Sequence, residues 1–340
     1  MKAVILAGGM GTRLYPLTYT RPKTLIPLLN RPMARYTLDY FAGRSDEVVF
    51  AACHMIDELR SFLETVETDA KVDIAVEETP LGTGGAVKNV EGMLDEPFLV
   101  LNGDIISSFR VDDFISFAEK KGGMGSIALF PSGHPEDYGV VELDDDQRII
   151  RFVEKPAPDQ VFSNLVNAGM YYLQPEILDR IERGKKISME AEVFPLLLDE
   201  GLFGYTFEGY WTDVGKFSTY LEANRTLLQE EGSRFEDGSD LNEEVQIVHP
   251  ICIGPRLSAS SGILGPNVSI GKDCAIGSAR IDNSVLLDKV KVGEDVTISN
   301  SVLGEDVQIE DGCRLQDCVV ADSERILEGS VLTNEKVGMR

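Results

Sequence analysis

The chain has 340 residues, 43% of them hydrophobic, enough for a sizeable core and for two domains rather than one. Its 57 Asp and Glu against 32 Lys and Arg give a formal charge of −25, which would repel a phosphate backbone and argues against nucleic acid as a partner. No apolar run reaches the roughly 18 to 20 residues that cross a bilayer, and MKAVILA meets Gly8-Gly9 before it could be a secretory segment, so a cytoplasmic protein with no membrane partner is expected.

In chain order, the first half alternates apolar, β-rich stretches with amphipathic ones. MKAVILA precedes PMARYTLDYFAG, DEVVFAAC precedes MIDELRSFLETV, KVDIAVE precedes GGAVKNVEGML, and PFLVLNGD precedes VDDFISFAEKK. Such alternation predicts βαβ units and a doubly wound, mostly parallel α/β sheet. From about residue 125 it loosens into SIALFPS, YGVVELD, RIIRFVEKP and NAGMYYL, strand-like pieces that read as insertions decorating the sheet. FSTYLEANRTLLQ predicts a closing helix, and the acidic, Gly/Ser-containing residues 230 to 244 read as a linker after a domain spanning 1 to 229.

Beyond the linker the period changes. Ile253-Gly254, Leu264-Gly265, Ile270-Gly271, Ile276-Gly277, Val292-Gly293 and Leu303-Gly304 set an aliphatic residue before glycine at steps of about six or its multiples, with slips, and NSVL at 283, NSVL at 300 and DCVV at 317 are offset by seventeen. Short turns that each bury one aliphatic side chain specify a β-solenoid over 245 to 340, and the pattern resembles left-handed β-helices of hexapeptide repeats. This solenoid is expected to drive homo-oligomer formation. The five cysteines (Cys53, Cys252, Cys274, Cys313, Cys318) show no CxxC spacing and fit reduced thiols. The three histidines (His54, His134, His249) are dispersed, which argues against a zinc site or a Ser/His/Asp triad.

The chemistry concentrates in LAGGMGTRLYPLTYTRPKTLIP, residues 6 to 27. A glycine-rich turn after the first strand of a parallel sheet lies at the carboxyl edge, where backbone N–H groups can approach an anion. Leu6, Ala7, Gly8, Gly9, Gly11 and Thr12 are therefore the candidate nucleotide cradle, although GGMGTR is neither GxGxxG nor a P-loop. Arg13 and Lys23 add two cations in an otherwise acidic chain, the neutralisation a triphosphate needs. Asp104 follows the apolar strand PFLVLNG at its C-terminal edge; an Asp so placed is, read alone, more often a helix cap than the hard oxygen ligand that Mg²⁺ takes.

The stretch LAGGMGTRLYPLTYTRPKTLIPLLNRPM resembles the N-terminal motif of sugar-1-phosphate nucleotidyltransferases. EETPLGTGGA, VLNGD, YGVV, FVEKP, NAGMYYL and GYWTDVG agree in order, so that with the solenoid the resemblance covers nearly the whole chain. The spacing of VEKP, NAGMY, VFP and W-x-D-V-G is most similar to mannose-1-phosphate guanylyltransferases. The resemblance implies a reaction of an NTP with a sugar-1-phosphate to give a nucleotide sugar and pyrophosphate. It assigns Asp104 and Asp213 to Mg²⁺, Lys155 to the sugar phosphate and Glu154 to sugar hydroxyls, with Gly139, Asn167 and Gly169 lining the sugar pocket. Gly82 and Thr83 would face the base, with Glu78 as acceptor for a guanine. GTP with mannose-1-phosphate is the first expectation; thymine or uracil with glucose-1-phosphate, a second acyltransferase activity on the solenoid, and a decayed regulatory subunit are the alternatives.

Overall fold

The computed structural model describes residues 1–339. Two compact units emerge: residues 1–10 with 34–213, and residues 11–33 with the described residues from 214 onward.

The first unit is built on one nine-stranded sheet. Its strands are β1 (Lys2–Leu6), β2 (Glu47–Ala52), β3 (Lys71–Val76), β4 (Phe98–Asn102), β6 (Gly125–Pro131), β7 (Gly139–Leu143), β8 (Ile149–Glu154), β9 (Leu165–Leu173) and β10 (Leu202–Thr206), while β5 (Ile105–Ser107) and β11 (Trp211–Asp213) form a separate ladder. β3, β2, β1 and β4 lie side by side and parallel, joined through helices α1 (Met33–Phe41), α2 (Ile56–Leu63) and α3 (Gly82–Asn89). Strands such as AVIL and FLVL are apolar on both faces because helices and loops cover both sides of a parallel sheet. Val4, Val49, Val100, Val87, Phe194 and Tyr171 meet in one core.

The pieces read as insertions belong to this sheet. β9 runs antiparallel to β6 along one edge and to β4 and β7 at the two ends of its other edge, and β7 pairs with β8. Their apolar residues, from Ile127 through Val141 to Leu173, join the same core as β1 and β4. Loss of helical spacing in the sequence marks the change from parallel crossovers to antiparallel neighbours, which need no helix between them.

In the second unit, α4 (Phe217–Glu231) and the hairpin strands Pro27–Leu28 and Arg31–Pro32 accompany a parallel β-helix. Its ladders repeat at about seventeen residues: Val285, Val302, Val319 and Lys336 stack in register, as do Ile281, Ile298, Leu315 and Leu332. The aliphatic side chains point inward to a core of Ile253, Ile270, Leu286, Leu303 and Val320. Corners are turned by left-handed residues, mostly Asn and Asp, such as Asn267, Asn283, Asn300, Asp317 and Asn334. Gly262 shows why some coil positions exclude side chains: its φ is +109° and a Cβ there would lie 2.0 Å from the Ala279 carbonyl oxygen. Within 230 to 244, Arg234–Phe235 and Asp240–Leu241 pair with Cys252–Ile253 and Ser258–Ala259, so these residues start the first coil.

Candidate active site

Ladder registers alone assemble most of the site in the first unit. Leu6 is level with both Ala51 and Asn102, and Ala52 with Val76. The residues that follow these strands, Ala7-Gly8, Cys53, Glu77 and Gly103-Asp104, therefore emerge together at the carboxyl edge of the sheet. The Gly103 N–H donates to the Leu6 carbonyl (2.9 Å), the Glu77 N–H to that of Ala52 (2.9 Å), and the Cys53 thiol to that of Gly8 (3.0 Å).

The antiparallel strands bring the remaining groups to the same edge. Met170 is level with Leu101, which puts Gly169 at the level of Asn102. A Cβ on Gly169, whose φ is +74°, would stand 2.6 Å from the Asn102 amide nitrogen. Val166 pairs with Val140 and Gly139 with Glu154, so Asn167, Gly139 and Glu154-Lys155 follow in sequence across the edge. Gly139 leaves room for the Glu154 carboxylate, which would lie 2.8 Å from a Cβ at that position.

Asp104 and Asp213 come together through the second ladder. Asp213 pairs with Ile105 and Trp211 with Ser107, so Asp213 adjoins the residue that follows Asp104. Trp211 is held by its indole N–H on the Ala168 carbonyl (2.9 Å) and by an edge-on contact with Tyr138. Both aspartates are half-buried. Two neighbouring carboxylates supply hard oxygen donors of the kind Mg²⁺ takes, and they fit a site in which phosphate oxygens and water complete the shell.

Three further groups near this edge were not singled out from the sequence, although Glu77 and Asn102 fall within EETPLGTGGA and VLNGD. Glu77 is 4% exposed; one carboxylate oxygen accepts the Leu81 N–H (2.9 Å), while Oε1 is buried with no hydrogen-bond partner among the described residues, 3.2 Å from where a Gly8 Cβ would sit. Burial pushes its carboxyl above the usual range. Its neighbour Glu78 is exposed. Asn102 likewise buries an Oδ1 with no partner among the described residues. Glu190 accepts the Tyr171 hydroxyl (3.0 Å), the Thr83 hydroxyl (2.6 Å) and the Ser188 hydroxyl (2.8 Å), and Tyr171 in turn accepts the Asn167 amide (2.9 Å). The Asn167 Oδ1 accepts the Gly169 N–H (2.9 Å), which fixes the bulge in β9. Burial, reinforced by the Glu190 charge and opposed by Lys155, raises the Glu154 carboxyl.

Thr83 and Gly82 have structural duties. The Thr83 hydroxyl also accepts the Met189 N–H (2.8 Å), and a Cβ on Gly82 would stand 2.6 Å from the Ile187 carbonyl oxygen. The glycines of GTGGA thus allow α3 to approach the backbone of residues 185–189. Lys155 is exposed with a φ of +46°, and its ammonium lies 3.7 Å from Glu154.

Gly11, Thr12, Arg13 and Lys23 belong to the second unit. Gly11 adopts φ +65°; a Cβ there would be 2.9 Å from Thr18 and 3.2 Å from Lys23, and the Thr18 hydroxyl donates to the Gly11 carbonyl (2.9 Å). The segment is therefore a tight local knot, with Thr12 and Arg13 exposed and Lys23 half-buried.

A model of the Nucleotidyl transferase family matches residues 2–230, the greater part of the chain. The chain belongs to the nucleotidyl transferase family. A second model, the GMPPB C-terminal domain, matches residues 241–339. The chain is 35% identical to mannose-1-phosphate guanylyltransferase 1 of Arabidopsis thaliana, over 82% of this chain and 78% of that one. It is 35% identical to the mannose-1-phosphate guanyltransferase of Aspergillus oryzae, over 81% and 74% respectively. A crystal structure described as a putative glucose-1-phosphate thymidylyltransferase from Bacillus anthracis in complex with a sucrose shares the fold, with a TM-score of 0.61 and 23% identity over 70% of this chain and 98% of that chain. Among the described residues no helix is long and apolar enough to cross a membrane.

Proposed function

We propose that this nucleotidyltransferase joins GTP to mannose-1-phosphate, releasing pyrophosphate and GDP-mannose. The observation that carries the reading is the convergence of the Gly8 turn, Glu77, the Asp104 and Asp213 pair, and Asn167 with Glu154 at one sheet edge. In this reading an oxygen of the sugar phosphate attacks the α-phosphorus of GTP, and the bond to the β-phosphate breaks with pyrophosphate as leaving group.

Two phosphate groups must approach each other despite like charge, so the chain has to supply cations and a low-reorganisation environment. Arg13 and Lys23, next along the chain after the glycine turn, neutralise the triphosphate. Lys155 meets the sugar phosphate, and Glu154 with Asn167 orient the sugar hydroxyls. Asp104 and Asp213 are the residues that would hold Mg²⁺, which when bound offsets charge on the reacting phosphates. No covalent intermediate with the enzyme is needed.

Glu77 replaces Glu78 as the group for the base. Its open oxygen lies in a dry position beside the turn, where an acceptor is costly to leave unmet. Guanine presents two neighbouring donors, N1–H and the 2-amino group, which suit a carboxylate. Thymine and uracil present one N–H between two carbonyls, which suits it less.

A homo-oligomer through the β-helix belongs to the same proposal, because Leu327 (64% exposed) and Val331 (68%) leave apolar surface on its last coils. A cytoplasmic setting completes it. The direct test is incubation of the purified chain with GTP, mannose-1-phosphate and Mg²⁺, followed by chromatography of the products. GDP-mannose with equimolar pyrophosphate supports the reading, and no nucleotide sugar refutes it.

A further inference from the structure

The segment that carries Arg13 and Lys23 is fastened to the β-helix at two points. At one, Asp322 Oδ2 accepts hydrogen bonds from the Thr20 hydroxyl and from the Arg21 guanidinium (2.5 Å), with Glu305 3.5 Å from the same guanidinium nitrogen. Arg21 and Asp322 are both largely withdrawn from solvent, at 17% and 12% side-chain exposure. At the other, the Asn30 amide donates to the Ile270 carbonyl (2.8 Å), the Ser269 hydroxyl donates to Asn30 Oδ1 (3.3 Å), and Arg234 donates to the Leu29 carbonyl. Lys23 lies between the two pins, two residues from Arg21.

Asp322 divides its oxygens between two tasks. Oδ1 accepts the Glu305 N–H (2.7 Å), just as Asp288 Oδ1 accepts the Lys272 N–H (3.0 Å) and Asp311 Oδ1 the Glu294 N–H (2.8 Å), so this half of the contact is the ordinary stitch between coils. Asp288 turns its second oxygen to Lys272 within the β-helix (3.3 Å). Asp322 alone of these three turns it to the segment 11–33 among the described residues. The coil needs only the first oxygen, and the second serves the loop.

We propose that Asp322, acting through Arg21, is a positioning residue for the nucleotide-binding segment, so that the β-helix sets how well the enzyme holds GTP while contributing no group to the chemistry. A half-buried, hydrogen-bonded ion pair holds its geometry better than an exposed one, and loosening it spreads Lys23 over many orientations. The inference rests on the guanylyltransferase reading, and the test separates the two: absence of turnover in the wild-type chain defeats that reading, whereas the result below concerns Asp322 alone.

The experiment compares Asp322→Asn, Arg21→Ala, their double variant and Asp288→Asn in the full chain, by steady-state kinetics with each substrate varied and by thermal melting. Asp322→Asn keeps an oxygen for the coil but removes the charge, and Arg21→Ala leaves the β-helix untouched, so the test remains decisive if one variant folds poorly. The expected result is a rise in KM for GTP of roughly three- to tenfold in both single variants, with KM for mannose-1-phosphate within twofold. The double variant is expected to be no worse than the worse single one, and Asp288→Asn to resemble wild type. An unchanged KM for GTP in Arg21→Ala, equal rises for both substrates, or the same rise in Asp288→Asn would overturn the proposal.

Discussion

Asp213 faces Ile105 across an antiparallel ladder and thereby stands beside Asp104, although 109 positions separate the two aspartates in the chain. Asp213 ends β11 and Asp104 immediately precedes β5, so the single ladder between these two short strands places both carboxylates. Asp104→Asn and Asp213→Asn keep shape and remove charge. Each is expected to lower kcat on the order of a hundredfold or more, with little change in melting temperature. Near wild-type turnover in either variant at ordinary Mg²⁺ would contradict the paired-carboxylate site.

Glu77 gives a prediction about base choice. Loss of a charge-assisted hydrogen bond costs roughly 1.5 to 3 kcal/mol, so Glu77→Gln should lower kcat/KM for GTP about ten- to a hundredfold while altering that for UTP far less. Glu78→Gln should leave the ratio unchanged. The GTP-to-UTP ratio of kcat/KM checks both.

The same residue gives a pH dependence. Burial raises the folded-state pKa of Glu77 above its unfolded value, so the group favours the folded state at low pH, and that contribution is lost as pH rises through the folded pKa. Glu77→Gln should therefore gain stability relative to wild type as pH rises above the ordinary carboxylate range, read as the difference in melting temperature. Binding of the base needs the ionised form. The acid limb of kcat/KM for GTP should accordingly lie above the ordinary carboxylate range and vanish in the Gln variant.

Lys155 and Arg13 are assigned to different substrates. Lys155→Ala is expected to raise chiefly the KM for mannose-1-phosphate, and Arg13→Ala chiefly that for GTP. Initial-rate measurements with each substrate varied in turn decide the matter, and equal effects on both substrates would defeat the assignment.

Gly169 tests the packing beneath the site. An alanine there must adopt φ near +74° and displace the Asn102 amide, which should cost roughly 1 to 3 kcal/mol of stability and reduce turnover together. Chemical denaturation provides the check.

What the sequence made legible follows from which signals are local. The parallel strands announce themselves as apolar runs, and the seventeen-residue offset of NSVL, NSVL and DCVV carries straight into the stacked ladders of Val285, Val302 and Val319. Gly8 and Asp104 could be placed because the residue just past a parallel strand lies at the carboxyl edge. The same rule applied to KVDIAVE points to Glu77, since the strand ends at Val76, but the repeated glutamate hid which of the two is buried. Glu190 lacks even that cue: it reaches Thr83 and Tyr171 through a fold contact spanning 107 residues in one case. The order of antiparallel strands from β6 to β9 was also hidden, because short apolar runs look alike whichever neighbour they join. The docking of residues 11–33 on the β-helix depends on Arg21 and Asp322, 301 residues apart, and no local pattern encodes it.

The most direct test of the account is a competition assay. The purified chain is given equal GTP, ATP, UTP and dTTP with mannose-1-phosphate, glucose-1-phosphate and N-acetylglucosamine-1-phosphate in separate reactions, with nucleotide sugars and pyrophosphate quantified in each. The account predicts GDP-mannose as the dominant product, dependent on a divalent cation and matched mole for mole by pyrophosphate; a faster reaction with another base and sugar, or pyrophosphate released without a nucleotide sugar, would contradict it.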